Sequence, residues 1–319
     1  MHHRQTAYRV ARGLLPGLAL ILTACATSQV KDLRQHTPQV PRFKELSQVP
    51  YYSQTRYFCG PATVATVMAH LGQTRPLEEI GEKVYLPGRR GSLQTDVVSA
   101  LRRYGYLVYR LEPRLTHLIQ EINAGRPIIV LQNLSLQMAP RWHYAVVIGY
   151  DLDREKLILR SGKRQRLLTP FNVFTRTWKR SDYWAIVVLK PGDLPVDAEP
   201  LAYFEAVSGL EQTQQWQAAH TAYLPAIHRW PDHHIPHTGI ATALYHLNRL
   251  PEAERHYQHA LRLKPDAADI HNNLASLLLK QKKGRAARTH AQKAVQLGGK
   301  NLSVYQRTLA QIEKALKRP

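Results

Sequence analysis

The sequence predicts an α+β domain followed by an all-α domain of helical repeats. Three observations support this prediction. Before residue 190, segments with helical and β-rich patterns are mixed, whereas almost every segment after residue 200 has helical spacing. The stretch Lys190–Pro200 between them holds three prolines, a composition typical of an interdomain linker. In addition, small and apolar residues in the second half recur at one constant interval, as Ala219, Ala253 and Ala287 do.

The segment from Met1 to Cys25 consists of a basic start, an apolar run and a cysteine. Arg4, Arg9 and Arg12 precede the apolar run Leu14–Leu22, and Cys25 ends the sequence LTAC. The run is shorter than the ~20 residues that a permanent membrane span requires. The pattern resembles a bacterial lipoprotein signal, which implies cleavage after residue 24 and a lipid on Cys25. A secretory signal that ends in a cysteine by chance is the alternative.

The rest of the chain divides into four segments. They are predicted as a polar tether at 25–45, the α+β domain at 46–190, a linker at 191–200 and the repeats at 201–319. Ala26, and not an acidic residue, follows Cys25. The lipoprotein resemblance therefore implies a cell-envelope protein that is anchored in the outer membrane and faces the periplasm.

The composition indicates a folded protein with a large positive charge. Apolar residues make up 44% of the chain, and the formal net charge is +21. No lysine- and arginine-dense helix, and no basic patch interleaved with aromatic residues, indicates nucleic-acid binding. The positive charge fits better with an interaction with an anionic envelope surface, or with no specific partner at all. We predict neither a metal site nor a cofactor.

The second half contains three units that share one sequence period. The positions that keep this period are Ala219, Ala253 and Ala287, then Ala226, Ala260 and Ala294, and finally Leu210, Leu244 and Leu278. Small residues at fixed points of helix contact resemble tetratricopeptide repeats. The resemblance implies a scaffold whose concave face binds a protein partner; a plain helical bundle is the alternative. We place the histidine-rich segment Asp232–His237 in an inter-repeat loop and expect solvated histidines there.

Cys59 precedes a segment with helical spacing. Pro61 suits the first turn of a helix, where its missing N–H costs nothing. The sequence therefore predicts a helix that begins at Cys59 and ends at Leu71–Gly72. Because the helix dipole stabilises a thiolate at this end, we expect a lowered thiol pKa. If Cys25 carries lipid, Cys59 has no disulfide partner, so its thiol is either an inert core group or a nucleophile.

The segment Trp142–Gly162 predicts a β-hairpin with a polar turn, and His143 opens its first, strongly apolar strand. A cysteine at a helix start and a histidine on a later strand are what nucleophilic thiol catalysis requires, with the histidine as base. His70 ends the predicted helix, about 16 Å from Cys59, which is too far for a base. A core histidine without a catalytic role is the alternative for His143.

Gln54 lies five residues before Cys59. Its amide can donate to the oxygen that becomes negative during acyl transfer, or it is an ordinary surface residue. With the Cys-Gly pair and the sequence around His143, it resembles the papain-like peptidases that remove double-glycine leaders from bacteriocin precursors, over residues 45–190. The segment Ala124–Asn133, a helix end before a buried strand, also looks like that family. The resemblance implies a papain-like fold with Cys59 as nucleophile, His143 as base and Gln54 as oxyanion donor.

One position departs from the pattern of the resembled family, which usually has Asp-Pro on the strand after the histidine to orient the imidazole. Pairing of the hairpin places Arg160–Gly162 opposite His143, and this segment contains Ser161 but no carboxylate. Ser161 is the candidate orienting residue, and Asp182 or Asn172 could take that role from elsewhere in the chain. We therefore expect an activity that is reduced or differently supported.

The expected function is that of an envelope-anchored cysteine peptidase that hydrolyses peptide bonds through a thioester on Cys59. Its expected partners are a peptide or protein substrate, a protein on the concave face of the repeats, and the membrane through the lipid on Cys25. Two alternatives remain open. One is a catalytically degenerate peptidase fold that acts as a lipid-anchored scaffold, and the other is an amidase or acyltransferase on cell-wall peptides.

Overall fold

The computed structural model describes residues 27–53 and 57–317. The predicted signal at 1–24, the predicted lipidation site Cys25 and the predicted oxyanion donor Gln54 lie outside the described residues. Within the described part, an α+β domain is followed by a run of helices, so the predicted order of fold classes is confirmed.

Within the described residues, the first domain is built on a seven-stranded antiparallel sheet. Its strands are β1 (Phe43–Glu45), β2 (Leu107–Arg110), β3 (Ile128–Asn133), β4 (Trp142–Asp151), β5 (Lys156–Ser161), β6 (Arg164–Pro170) and β7 (Ala185–Leu189). Their order is β2-β7-β3-β4-β5-β6, and β1 also pairs with β4. The apolar runs of β3 and β4 are buried almost throughout, whereas the edge strand β6 is largely exposed and carries arginines that discourage further pairing.

Helices surround this sheet. Those of the described first domain are α1 (Ser28–Gln35), α2 (Cys59–His70), α3 (Leu77–Val84), α4 (Gln94–Arg103), α5 (Leu115–Asn123) and α6 (Phe171–Lys179). α2 contacts β3 and β4, and α6 contacts β3, β5 and β6. Buried side chains of the helices, such as Val67, Leu101 and Trp178, join those of the strands in one hydrophobic core. The sheet therefore holds both the start of α2 and the start of β4 in fixed positions.

Most of the predicted tether is packed against the first domain, which corrects that prediction. Residues 28–35 form α1, whose Val30 and Leu33 are buried. The side-chain oxygen of Gln29 accepts a hydrogen bond from the backbone N–H of Leu115 at 2.9 Å. β1 then extends the sheet beside β4. The physical reason is the spacing of Val30 and Leu33, which gives an otherwise polar segment one apolar helical face.

The second domain consists of helices in antiparallel succession. In the described part they are α7 (Pro200–Gln212), α8 (Trp216–Arg229), α9 (His234–His246), α10 (Leu250–Leu263), α11 (Ala268–Lys280), α12 (Gly284–Leu297) and α13 (Leu302–Leu316). They form three pairs and a final helix. The alanines that keep the sequence period, including Ala219, Ala253 and Ala287, have no exposed surface because neighbouring helices approach closely there. This packing is the one that the period predicts.

The histidines near residue 234 correct another prediction. α9 begins at His234, so His237 lies inside a helix and is 7% exposed rather than solvated in a loop. Its Nδ1 lies 3.0 Å from that of His256, and its ring stacks on His259. His237 is buried within a helix, and not solvated, because it lies where α9 and α10 pack against each other. No group of three or more His, Cys, Asp or Glu in the described residues is arranged to hold a metal ion.

The predicted linker is held against the first domain. Glu121 in α5 is buried, and its carboxylate pairs with Arg126 and accepts a hydrogen bond from the backbone N–H of Val196. Further along, Arg102 of α4 packs over Gly209 of α7. These contacts join the two domains. Throughout residues 27–53 and 57–317, no helix combines the length and apolar character needed to cross a membrane.

Candidate active site

Cys59 is the first residue of α2. Gly60 follows because its backbone packs directly on the side chain of Ser92, so that any β-carbon there would collide with the serine. Pro61 occupies the first turn, where no intrahelical partner for an N–H is needed. The thiol is therefore half-buried at the helix N-terminus, and the predicted start of this helix is the one that the structure shows.

The pKa of the Cys59 thiol is raised and not lowered, which corrects the expectation from the helix dipole. Burial raises the pKa of Cys59, since a thiolate loses hydration there. Backbone N–H groups, first that of Tyr144 and then those of Gly60 and Cys59, act in the opposite direction but do not outweigh burial. The effect of Tyr144 also shows that the sulfur lies beside the residue that follows His143.

His143 is the second residue of β4 and is half-buried. Its Nε2 lies 2.8 Å from the hydroxyl oxygen of Ser161, the last residue of β5. The strands pair with Tyr150 opposite Leu157, and a register shift between Val147 and Gly149 adjusts the alignment further along. The predicted hairpin thus brings His143 and Ser161 together, and it leaves the imidazole Nδ1 for another partner.

The pKa of His143 is lowered to about 4. Burial is the larger cause, and the positive charge of Arg141 is the second. Both disfavour the imidazolium ion. At neutral pH the site therefore holds a neutral imidazole and a protonated thiol rather than a preformed ion pair.

Cys59 and His143 line one cavity of about 1130 Å³. Its wall includes the loop around Gly91, the start of β4 and the turn after β5. The other residues that line it include Arg89, Arg90, Ser92, Arg141, Trp142, Tyr144, Lys163 and Asp182. A cavity of this size is within the range of sites that hold ligands.

Two family models match this chain. Residues 46–185 match the Peptidase_C39 like family, and residues 241–282 match the TPR repeat. The first domain is therefore a Peptidase_C39-like domain. The helices of the second domain match a tetratricopeptide repeat solenoid. The predicted α+β peptidase fold followed by a repeat solenoid is therefore confirmed.

Solved structures that resemble each domain are distant. A Bacillus anthracis protein described as a C39-like peptidase is 17% identical, with a TM-score of 0.39 over 46% of this chain and 98% of that chain. The TPR2B domain of yeast Sti1, in a complex with pHsp70, is 18% identical, with a TM-score of 0.33 over 34% of this chain and 91% of that chain. The second TPR domain of human RPAP3, in complex with an HSP70 peptide, is 16% identical, with a TM-score of 0.32 over 36% and 98%. No curated protein is significantly similar to the chain.

Other residues that the sequence singled out in the C39-like domain lie in different surroundings. Asp182 lines the cavity, but the imidazole Nε2 faces Ser161. Asn172 accepts a hydrogen bond from the backbone N–H of Thr27 and is thereby engaged elsewhere. His70 lies at the far end of α2, where its Nε2 is 3.2 Å from the carbonyl oxygen of Gly125.

Sequence reasoning missed the loop that leads to Ser92. A short 3₁₀ helix, Pro87–Arg89, is followed by Arg90 in the left-handed region and by a bridge between Leu86 and Gly91. The Ser92 hydroxyl is buried in the cavity wall without a hydrogen-bond partner among the described residues. The Pro-Gly pair at 87–88 is a turn signal, but nothing in the sequence indicates that this turn lines the same cavity as Cys59.

Proposed function

We propose that the chain is a cysteine peptidase that uses Cys59 as nucleophile and His143 as general base. The supporting observation is that both side chains line one cavity, with the Nε2 of His143 held by Ser161 at 2.8 Å. Because Nε2 is occupied, Nδ1 is the nitrogen left to face the thiol. Ser161 is the orienting residue in this proposal, in place of the aspartate of the resembled family.

In the acylation step, the thiol proton of Cys59 passes to Nδ1 of His143 while sulfur bonds to the carbonyl carbon of the substrate. The backbone N–H of Cys59, at the helix N-terminus, donates to the developing oxyanion, with the side-chain amide of Gln54 as a second donor. Collapse of the intermediate breaks the C–N bond, and His143 returns the proton to the leaving nitrogen. A thioester on Cys59 remains.

In the deacylation step, His143 takes a proton from water, whose oxygen bonds to the thioester carbonyl. The sulfur of Cys59 leaves and regains the proton from His143, so the site is restored. Since burial and Arg141 lower the pKa of His143 to about 4, the imidazole is in its basic form throughout the neutral range. We expect kcat/KM to rise through pH ~4 and then to stay level across neutrality.

A degenerate site is the second candidate function, and two observations favour it. Among the described residues, the imidazole Nε2 meets a serine hydroxyl and no carboxylate, and burial raises the pKa of the Cys59 thiol. In that case the C39-like domain serves as a binding fold. The same two observations fit a slow peptidase whose thiol gives up its proton to His143 only as the sulfur attacks the substrate.

The repeats and the N-terminus complete the proposal. The concave face of the tetratricopeptide repeats binds a protein or peptide that delivers substrate to the C39-like domain. The lipid on Cys25 anchors the chain in the outer membrane, facing the periplasm. Because residues from 28 onward pack on the first domain, only a few residues separate this anchor from the folded protein, and the enzyme works close to the membrane surface.

The test is hydrolysis of a defined peptide library by the full chain, followed by mass spectrometry. The proposal predicts fragments whose formation is abolished in Cys59→Ala and falls at least ~100-fold in His143→Ala, the usual contribution of a general base. His70→Gln is the matched control, since this histidine lies at the other end of α2, and it should retain cleavage. Acid quenching should also trap an acyl group on the peptide that contains Cys59.

Three results separate the candidates. Cleavage that survives Cys59→Ala would exclude the thiol mechanism. No cleavage and no acyl adduct, together with partner binding that is unchanged in Cys59→Ala, would favour the scaffold. Transfer of the acyl group to an added amine, in preference to water, would indicate an acyltransferase.

A further inference from the structure

One wall of the cavity is a loop that is closed by backbone hydrogen bonds and carries two arginines. Leu86 and Gly91 close this loop through backbone hydrogen bonds, and the hydroxyl of Tyr144 reaches the carbonyl oxygen of Ser92 at 3.4 Å. Arg89 and Arg90 lie at its exposed tip and line the cavity. Both arginines are thus carried by a loop whose end, at Ser92, packs against Gly60 and β4.

The other wall carries two further cations. Arg141 lies two residues before His143, and Lys163 lies two residues after Ser161, in the turn between β5 and β6. Both are exposed and line the same cavity. The reacting pair therefore lies between basic residues on both sides, and among the described residues that line this cavity Asp182 is the one acidic residue.

These four cations differ from many others in the domain in having no carboxylate partner among the described residues. Five arginines elsewhere on the domain are paired with carboxylates: Arg34 with Glu155, Arg42 with Asp153, Arg126 with Glu121, Arg154 with Asp151 and Arg166 with Glu45. A set of unpaired like charges around one concave site focuses the field on that site and attracts anions.

The charge of Arg141 also acts on the base itself, since it disfavours the imidazolium form of His143. A carboxylate that pairs with Arg141 would remove this repulsion at the step in which His143 accepts the thiol proton. An anionic substrate would thereby gain in both binding and reaction, whereas a neutral substrate would leave the arginine opposed to proton transfer.

We propose that the cavity selects acidic peptides, with substrate carboxylates held by Arg89 and Arg90 on one wall and by Arg141 and Lys163 on the other. That these peptides are substrates rests on the proposed function. The selectivity for negative charge is a property of the cavity itself and can be measured without turnover. Trp142, which is 52% exposed at the cavity edge, supplies an apolar surface beside these cations.

The first experiment compares alkylation of Cys59 in the full chain by iodoacetate and by iodoacetamide. The two reagents have similar shape and the same mechanism, so the ratio of their rates is independent of the thiol pKa and reports charge. The adduct is quantified by mass spectrometry on the peptide that contains Cys59, which separates it from Cys25. Relative to mercaptoethanol, we expect the ratio to favour iodoacetate by about tenfold at low salt and to fall towards the free-thiol value in high salt.

Variants then test which cations are responsible. Arg141→Gln and Lys163→Gln should each lower the ratio of the iodoacetate rate to the iodoacetamide rate. The double variant Arg89→Gln, Arg90→Gln, which removes the cations of the other wall, should lower it as well. Arg114→Gln is the matched control, because Arg114 is exposed, has no ion pair among the described residues and does not line the cavity. A ratio equal to that of mercaptoethanol, no reaction with either reagent, or an equal loss in Arg114→Gln would overturn the inference.

A second experiment uses pairs of peptides that differ only by Glu and Gln. We expect cleavage of the Glu member to be faster by about tenfold, with the preference reduced in Arg141→Gln. Equal cleavage of both members would refute the acidic preference but leave the peptidase intact. Absent cleavage of both members, alongside a raised alkylation ratio, would refute the peptidase and leave the anion-selective cavity established.

Discussion

His143 in the C39-like domain and His237 in the repeats are both withdrawn from water, yet they have different surroundings. His143 lies at the wall of a cavity and contacts the hydroxyl of Ser161. His237 lies between two helices, 3.0 Å from the ring nitrogen of His256. Burial lowers the pKa of both histidines to about 4. A perturbed pKa therefore does not by itself distinguish a reactive histidine from a structural one.

Periodicity makes the distinction. The pair formed by His237 and His256 recurs one period later as His271 and His290, whose Nδ1 atoms lie 2.9 Å apart. One period earlier the same two positions are Tyr203 and Ala222, which are joined by a hydrogen bond of 2.7 Å. A polar contact at these two positions therefore joins the paired helices of all three units. A residue that recurs with the fold is explained by the fold, whereas His143 has no such counterpart and lines a cavity.

The largest expected effect is a loss of stability that is confined to the first domain. Trp178 of α6 has no exposed surface, packs against Phe174 and Tyr183, and donates its indole N–H to the carbonyl oxygen of Trp184 at 3.0 Å. Trp178→Ala should lower the free energy of unfolding of the C39-like domain by about 3–5 kcal/mol. Denaturant unfolding followed by circular dichroism measures this.

The exposed Trp142 is the control for that change, and Trp142→Ala should alter the free energy of unfolding by less than ~1 kcal/mol. If the domains unfold independently, Trp178→Ala will split the unfolding curve and leave the transition of the repeats in place. A single transition that shifts as a whole would instead show that the contacts of Glu121 and Arg102 couple the two domains.

The next effect concerns acid stability. The folded-state pKa of His143 lies at about 4, below the ~6.5 of an unfolded histidine. The unfolded chain therefore binds the additional proton between these values, and stability is lost as the pH falls from 6.5 towards 4. The loss from His143 is about 3 kcal/mol, and His237 acts in the same direction in the repeats, where His256, His259 and Arg262 also oppose its protonation.

Denaturant unfolding between pH 4 and 8 measures this slope. His143→Gln should flatten the pH dependence of the first domain, and His237→Gln should flatten that of the repeats. His228→Gln, at an exposed position of α8, should leave both unchanged. If the pH dependence of stability is the same in His143→Gln as in the unchanged protein, the His143 side chain becomes exposed to water before the domain unfolds.

The sequence specified the parts of the site that depend on local patterns. The start of α2 at Cys59 followed from Gly-Pro and the helical run, and the approach of Ser161 to His143 followed from the pairing of one hairpin. The raised thiol pKa could not be predicted in the same way, because it depends on how closely β4 and the loop at Ser92 cover the sulfur. These contacts are made between segments that are distant in the sequence.

Elsewhere the predictions are wrong where composition and spacing disagree. The polar composition of α1 favours a tether, but Val30 and Leu33 share one buried helical face. Prolines and an aspartate around His237 favour a loop, but the repeat period assigns that position to a helix. In both cases a few residues with the correct spacing outweighed the average composition of the segment.

A smaller effect tests the close approach of helices in the repeats. Gly239 of α9 packs on the buried ring of Tyr223, which any β-carbon would strike. Gly239→Ala should lower the free energy of unfolding of the repeats by about 1–3 kcal/mol, despite the better helix propensity of alanine. Gly284→Ala is the matched control, since its β-carbon would meet only the flexible end of Leu316, which can move. We expect no loss there and a gain of up to ~1 kcal/mol; similar losses in both variants would show that the repeats tolerate no added volume at all.

The smallest expected effect concerns the hydrogen bond between His143 and Ser161, the contact that sets His143 apart from His237. Ser161→Ala removes a single neutral hydrogen bond of the imidazole, which should lower kcat/KM by roughly 3–10-fold while leaving KM unchanged, far less than the loss in His143→Ala. Ser161→Asp should raise the pKa of His143 above 4, because a carboxylate beside the ring favours the imidazolium ion and makes the imidazole a stronger base. Nuclear magnetic resonance of the His143 ring reads this pKa whether or not the enzyme turns over, and Ser208→Ala on α7 controls for loss of a hydroxyl. If Ser161→Asp leaves the ring titration unchanged, Ser161 does not orient His143, and the 2.8 Å contact between them is packing alone.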